Sequence, residues 1–277
     1  MSPDPGPPAP PYADVPGLRV ALDGPVLRLT LDREERRNAV NDVMVDAMVA
    51  AIAASNTDER VRVIALDAAG PNFCAGSDLV ANTTRSGPRP RVGSTQRRLP
   101  HKANRLIAVM TETQVPIVAV VRGWATGLGF HLALAADFCV AATDARFWEP
   151  FLARGFTPDS GATWLLPRLI GLARSRRLLM LGEEITGATA AEWEIIHAAH
   201  PPDELDRAAE KLVDRLANAP TVALGLTKWL LHTSAGLDLD RQLHNEAMAL
   251  ELAFRSEDFK EGLAAFREKR EARFRGR

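Results

Sequence analysis

From Gly17 onward the chain sets short β-type apolar runs against turn-forming clusters. Leu18-Arg19-Val20-Ala21-Leu22 and Val26-Leu27-Arg28-Leu29-Thr30-Leu31 flank Asp23-Gly24-Pro25, a pattern that predicts a hairpin. Asn41 stands where it can cap a helix that carries Val45, Met48, Val49 and Ile52 at spacings of three and four. Residues 61–66, 117–121 and 138–141 are compact apolar runs and predict buried strands, with a small-residue helix over 130–136 between the last two. Beyond residue 185 the β-signals stop. Segments 190–199, 205–217, 221–234, 239–254 and 258–274 suit amphipathic helices, parted by Pro201-Pro202, Ala219-Pro220 and Gly236. The expectation is an α/β core over residues 17–200, followed by a helical region over 201–277.

Two segments stand apart from this pattern. Seven of the nineteen prolines fall in residues 1–16, which predicts a mobile, polyproline-like tail outside the fold. Residues 81–101 form a basic insertion loop that carries Arg85, Arg89, Arg91, Arg97 and Arg98. Its composition predicts a solvated, poorly ordered insertion. The functional reading is a mobile cover whose arginines meet phosphate or carboxylate groups of a ligand.

Composition narrows the function. Of 277 residues 46% are hydrophobic and 25% charged, an ordinary globular balance. Lys and Arg number 34 against 35 Asp and Glu, so no global basic field points to nucleic acid, and none is expected as a partner. No apolar run is long enough for a membrane span, and the start has neither a basic nor an apolar leader region; a cytoplasmic protein without a membrane partner is expected. Cys74 and Cys139 are the only cysteines, too few for a disulfide scaffold, and both sit in apolar runs that predict burial.

Several common sites can be set aside. Gly127-Leu128-Gly129 begins a dinucleotide-binding fingerprint, but Leu132 stands where its third glycine belongs. Neither a P-loop nor a G-x-S-x-G elbow occurs. His197 and His200 form the one close histidine pair and lack a Cys or carboxylate framework, so no metal site is expected. Two loops remain, each after a buried strand: Cys74-Ala75-Gly76-Ser77-Asp78-Leu79 and Gly123-Trp124-Ala125-Thr126-Gly127-Leu128-Gly129-Phe130. Two such loops can aim two backbone N–H groups at one oxygen, the second with a helix N-terminus behind it, which is how an oxyanion hole is built.

These loops, with Arg37-Asn38-Ala39-Val40-Asn41, Pro116–Val121, Ala135-Ala136-Asp137, Pro158-Asp159 through Pro167-Arg168 and Ser256–Gly262, resemble the enoyl-CoA hydratase/isomerase (crotonase) superfamily. The motifs are most similar to the branch of ring-1,2-epoxyphenylacetyl-CoA and dienoyl-CoA isomerases. The resemblance implies an α/β fold, a crotonase-like spiral of ββα units with a C-terminal α-helical oligomerisation region, assembled as a homotrimer or dimer of trimers. It implies an acyl-CoA substrate, with coenzyme A as part of that substrate and no permanently bound cofactor. By the same resemblance Ser77 and Leu128 supply the oxyanion N–H groups. Arg37, Asn38, Ala39, Val40, Ala75, Gly76, Asp78 and Leu79 would line coenzyme A, and Trp124 and Phe151 the substrate pocket.

The chain departs from the family's hydratases. Their two glutamates align with His131 and Phe151, and Glu149 lies two residues before the second position. Asp159 falls where isomerases of the family carry an aspartate, and it could equally cap the helix that begins near Gly161. The expected chemistry is therefore proton transfer and double-bond isomerisation through a thioester enolate, with Asp159 and His131 as catalytic candidates. Two alternatives stay open: a hydratase or hydrolase that uses His131 or Glu149, and a non-catalytic protein that binds CoA esters or RNA.

Overall fold

The computed structural model describes residues 12–78 and 91–277. Strands β1 (Leu18–Asp23), β2 (Val26–Leu31), β3 (Val63–Ala68), β4 (Ile117–Val121), β6 (Phe138–Ala142) and β9 (Ala198–His200) form the main sheet, in the order β1-β2-β3-β4-β6-β9. The first pair is the predicted hairpin, antiparallel with Leu18 opposite Leu31 and Asp23 opposite Val26. Every later neighbour in the sheet runs parallel. A second sheet joins β5 (Trp124–Thr126), β7 (Arg146–Trp148) and β8 (Ile185–Thr186). Central parallel strands are covered on both faces, which is why β4 reads as an unbroken apolar run and is buried at all five positions.

Helix α1 (Asp42–Ser55) starts as predicted, with the Asn41 side chain accepting from the N–H groups of Val43 and Met44. It packs on α3 (Ala103–Glu112), which follows the short α2 (Ser94–Arg98). Then come α4 (Leu128–Ala135), α5 (Ala162–Leu181), α6 (Gly187–Glu192), α7 (Leu205–Ala217), α8 (Thr221–Ser234), α9 (Leu239–Phe254) and α10 (Glu257–Glu268). Leu205, Ala209, Val213 and Leu216 make the buried stripe of α7, which lies across β3, β4 and β6. Helix α8 is pinned by a buried ammonium: Lys228 Nζ donates to the carbonyls of Met110 and Val115 and, at 2.7 Å, to Asp137. Three donors meet three acceptors, so the buried charge is satisfied.

Four expectations need correction. The helix expected over 190–199 is instead the end of α6 and the strand β9, whose Ala198 and Ala199 pair with Val140 and Ala141. Pairing to a waiting sheet edge overrides the helix propensity of an alanine-rich stretch. The last helix stops at Glu268, and beyond it Arg275 and Gly276 donate backbone N–H groups to Asp258. Residues 12–16, expected in the loose tail, are tied down: Val15 and Leu18 exchange backbone bonds, and Asp14 accepts from the N–H of Val20. Residues 1–11 lie outside the described residues. Finally, the C-terminal end of the basic insertion is built structure, with Arg98 in α2 paired to Asp42 at 3.1 Å. Residues 79–90, with Leu79, Arg85 and Arg89, lie outside the described residues.

Cys74 and Cys139 are 0% and 3% exposed, and burial pushes both thiols up, Cys74 to about 12. The folded protein should therefore react with less than about a tenth of a thiol equivalent of a charged aromatic disulfide reagent at pH 8, and with both thiols after denaturation. Rapid labelling of the folded chain would contradict this burial.

Candidate active site

Strands β3 and β4 are parallel neighbours, with Ile64 opposite Ile117 and Leu66 opposite Ala119. Their chains therefore leave the sheet at the same edge, the carboxyl end where open α/β sheets bind ligands. Both candidate loops start there, and they stay in contact. The N–H of Cys74 donates to Trp124 O, and the N–H of Thr126 to Cys74 O. On its other side the first loop runs along residues 37–40: Val40 N–H donates to Gly76 O and Asp78 N–H to Val40 O. Those two bonds flank Ser77 and leave its own N–H directed away from Val40.

The second loop ends at the N-terminus of α4, whose eight residues are all buried and whose first is Leu128. An N-terminal residue has no intrahelical acceptor for its N–H. Neither Ser77 N–H nor Leu128 N–H donates to a described residue. The segments close on one point: a Cβ added to Gly76 would lie 3.8 Å from Leu128 N and 2.9 Å from Thr126 O. A Cβ on Gly129 would sit 2.5 Å from Cys74 O. Only glycine at 76, with φ at 97°, and at 129 allows so close an approach of the two main chains. The positive end of the α4 dipole adds to the two N–H groups.

Ser77 and Leu128 front two clefts. The first, about 40 Å³, is lined by Thr126, Gly127, Pro150, Phe151, Arg154, Phe156 and Asp159, together with Ala75 and Gly76. The second is lined by Val40, Asn41, Asp42, Val45, Arg98, Leu99, Lys102 and Ala103. Among the described residues, Asp159 is the one carboxylate lining the first cleft. It does not cap α5. Gly161 is the N-cap of that helix, without a side-chain capping bond, and the Asp159 carboxylate makes no hydrogen bond or ion pair with a described residue. The turn that holds it is strained: Ser160 has φ at 46° and a buried hydroxyl without a partner, and Gly161 follows at φ 87°.

His131 and Glu149 are not on the cleft wall. Both are closed off, with side chains 0% and 1% exposed, and His131 Nε2 lies 3.0 and 3.2 Å from the two Glu149 oxygens. The Phe151 ring is stacked on His131 at 5.7 Å and 6°. Burial raises the Glu149 pKa above the usual carboxylate range; His131 opposes this and the charge of Asp159 adds to it. The sequence places these two residues eighteen apart, and nothing in either segment alone announces that they pair.

The remaining site residues fall into distinct settings. Arg37 and Asn38 have φ of 51° and 55°. Buried Asn38 spends its amide on the carbonyls of Ala69 and Asn72, so its side chain shapes the loop. Ala39 and Val40 continue that strip, and Ala75 N–H donates to Arg37 O. The Asp78 carboxylate is held by Arg33 at 2.7 Å. Trp124 packs edge-on to Trp148 at 6.3 Å and is not part of the Asp159 cleft. Phe151 does line it, at 5.3 Å and 89° to Phe156. Sequence reasoning did not single out Arg154 or Thr126 as lining residues; Arg154 and Phe156 lie in the stretch between β7 and Asp159. No group of three or more His, Cys, Asp or Glu suited to a metal occurs among the described residues, nor a helix long and apolar enough to cross a membrane.

Known proteins resemble this chain in sequence and in fold. A 1,2-epoxyphenylacetyl-CoA isomerase of Escherichia coli (strain K12) is 37% identical over 91% of this chain and 95% of its own. A probable enoyl-CoA hydratase of Rhodobacter capsulatus is 34% identical over 94% of this chain and 98% of its own. Among solved structures, one from Streptomyces coelicolor A3(2) ascribed to an enoyl-CoA hydratase superposes with a TM-score of 0.88 at 32% identity, covering 100% of both chains. The family model for enoyl-CoA hydratase/isomerase matches residues 22–277. With its crotonase fold and two facing main-chain loops, the chain belongs to the enoyl-CoA hydratase/isomerase family, enzymes that act on acyl-CoA thioesters.

Proposed function

We propose that the protein moves a double bond within an unsaturated acyl-CoA by proton transfer, with Asp159 as the single base. The observation that carries this reading is the composition of the cleft beside Ser77 and Leu128: one free carboxylate, Asp159, against a wall of Pro150, Phe151 and Phe156. A thioester α-proton is poorly acidic because the enolate concentrates charge on oxygen. The N–H groups of Ser77 and Leu128 bind that oxygen more strongly as charge develops, so they lower the barrier rather than merely hold the substrate. Asp159 takes the α-proton of a β,γ-unsaturated ester, the electron pair spreads over the dienolate, and the same proton returns at the γ-carbon. One base can serve both transfers. Strain in the Asp159-Ser160-Gly161 turn fits a residue held for chemistry rather than for stability.

Hydration is the second reading, and relatives' names include both hydratase and isomerase. It needs a further group on the attacking water. His131 and Glu149, the candidates for that task, are paired with each other in the interior, which favours isomerisation. The strip of residues 37–40 and 75–78 suits the coenzyme A portion, mostly through main chain. The helical C-terminal region exposes Leu239, Leu243, Met248, Phe254, Leu263 and Phe266 at 41–82%, an apolar face that further copies of the chain would cover in a trimer or dimer of trimers.

Asp159→Asn should lower double-bond migration in hex-3-enoyl-CoA by about 10²- to 10⁴-fold, with affinity for a saturated acyl-CoA within a few-fold of the parent. In water labelled with oxygen-18 the parent's product should carry no label. Unchanged turnover in the variant, or labelled product from the parent, would end the isomerase assignment. Gly129→Ala pushes α4 off the Cys74 carbonyl, and should reduce kcat by about a hundredfold or more; a variant with parental kcat would show that the two loops need not close as described. Light scattering at micromolar concentration should give the mass of three or six chains, and a monomer would refute the proposed assembly.

A further inference from the structure

The cleft that holds Asp159 contains one other charged side chain, Arg154. It sits on the last residue of a single 3₁₀ turn over Leu152–Arg154, closed by Gly155 in the left-handed region. Three backbone bonds fix this turn: Arg154 and Phe156 donate to Phe151 O, and Gly155 donates to Leu152 O. They set the Phe151 and Phe156 rings and the Arg154 stem around one opening. Twenty ion pairs exist among the described residues, and Arg154 is in none of them, although the Asp159 carboxylate lines the same cleft. Nor does its guanidinium donate to any described carbonyl. A planar cation with five donors, bordered by aromatic rings and without a partner among the described residues, is set up to receive an acceptor from the ligand.

We infer that Arg154 selects acyl-CoA substrates whose acyl chain carries a second anionic oxygen group, a carboxylate above all, beyond the carbons on which Asp159 acts. This rests on the isomerase reading of the same cleft and adds the substrate class to it. A wall of proline and phenylalanine alone would suit a plain alkyl chain, and the charge of Asp159 would repel an anionic one. The guanidinium reverses that preference, because a charge-assisted, two-pronged hydrogen bond to a carboxylate outweighs what a methyl end gains from partial contact with the rings. An alkyl chain, conversely, would cover Arg154 and remove its water without replacing those bonds.

The test compares hex-3-enoyl-CoA with its ω-carboxylate counterpart of the same length, and the corresponding pair of eight-carbon esters, on the parent enzyme, Arg154→Met and Arg154→Lys. The parent should prefer the carboxylate-ended ester by about tenfold or more in kcat/KM at one of these lengths. Arg154→Met should bring the two esters to within about twofold of each other, and Arg154→Lys should retain part of the preference. Equal handling of both esters by the parent at both lengths overturns the inference. So does an Arg154→Met variant that weakens both esters and free coenzyme A by one common factor, because the guanidinium then serves the coenzyme's phosphates or the loop's shape. Calorimetric binding of the saturated esters separates the two proposals: a carboxylate preference in binding that is lost in Arg154→Met, with no double-bond migration in any ester, upholds this inference and removes the isomerase reading.

Discussion

The site depends on how closely two pieces of main chain approach each other at the carboxyl edge of the sheet. Parallel pairing of β3 with β4 brings their exits side by side, and the Cys74–Ala125 bridge keeps the loops in contact beyond the sheet. Even so, the final approach has no room for side chains, since a Cβ at Gly129 would lie inside the Cys74 carbonyl and one at Gly76 against Thr126 O. A backbone N–H cannot be moved by a rotamer change. Once the glycines admit the contact, the two donors are held by the sheet behind them, and on the proposed reading a preorganised donor need not reorient when charge appears on the thioester oxygen. The buried helix α4 takes part for the same reason. Its eight residues have no exposed face, so it is held on all sides and its N-terminus cannot drift.

Around this fixed pair, burial decides which titratable groups can act. His131 and Glu149 carry the side chains that sequence reasoning treated as reaction candidates. The fold instead pairs them with each other in the interior and stacks Phe151 on His131. A buried carboxyl beside an imidazole can share a proton within the pair, and the arrangement limits the cost of placing two ionisable groups in the core. The charge of Asp159 adds to the burial that holds the Glu149 carboxyl above the usual range. Asp159, by contrast, lines the open cleft, against a wall of Pro150, Phe151 and Phe156.

What the sequence disclosed follows the range of the interactions concerned. The hairpin, the Asn41 cap, the three buried strands and the glycine loops all rest on patterns within about a dozen residues, and the structure has each of them. Strands β8 and β9 have two and three residues, too short for an alternation to be seen, and exist because β7 and β6 offer them edges. The role of Asp159 as a helix cap was a fair local reading. It fails because Ser160 and Gly161 turn left-handed and set the aspartate apart from α5. The His131–Glu149 pair depends on the register between α4 and the end of β7, which no single segment encodes. Arg154 lay unnoticed among aromatic neighbours until the 3₁₀ turn set it beside Asp159 on one wall.

A division between scaffold and wall would let relatives of similar likeness bear different reaction names, hydratase and isomerase among them. An enolate-binding pair of N–H groups lowers the barrier to any step that places charge on the thioester oxygen, whether a proton or water is the other reactant. On the proposed reading it is built from main chain, so it does not depend on which side chain stands at 77 or 128. The reaction is then selected by side chains that line the cleft and touch the carbons beyond the thioester. In this chain those are one carboxylate, one guanidinium, a proline and two phenylalanines, all carried between Pro150 and Asp159. On the proposed reading these ten residues, 150–159, which leave the second sheet and return to the start of α5, choose the reaction, and they can change without disturbing the sheet edge because none of them pairs with a strand of the main sheet.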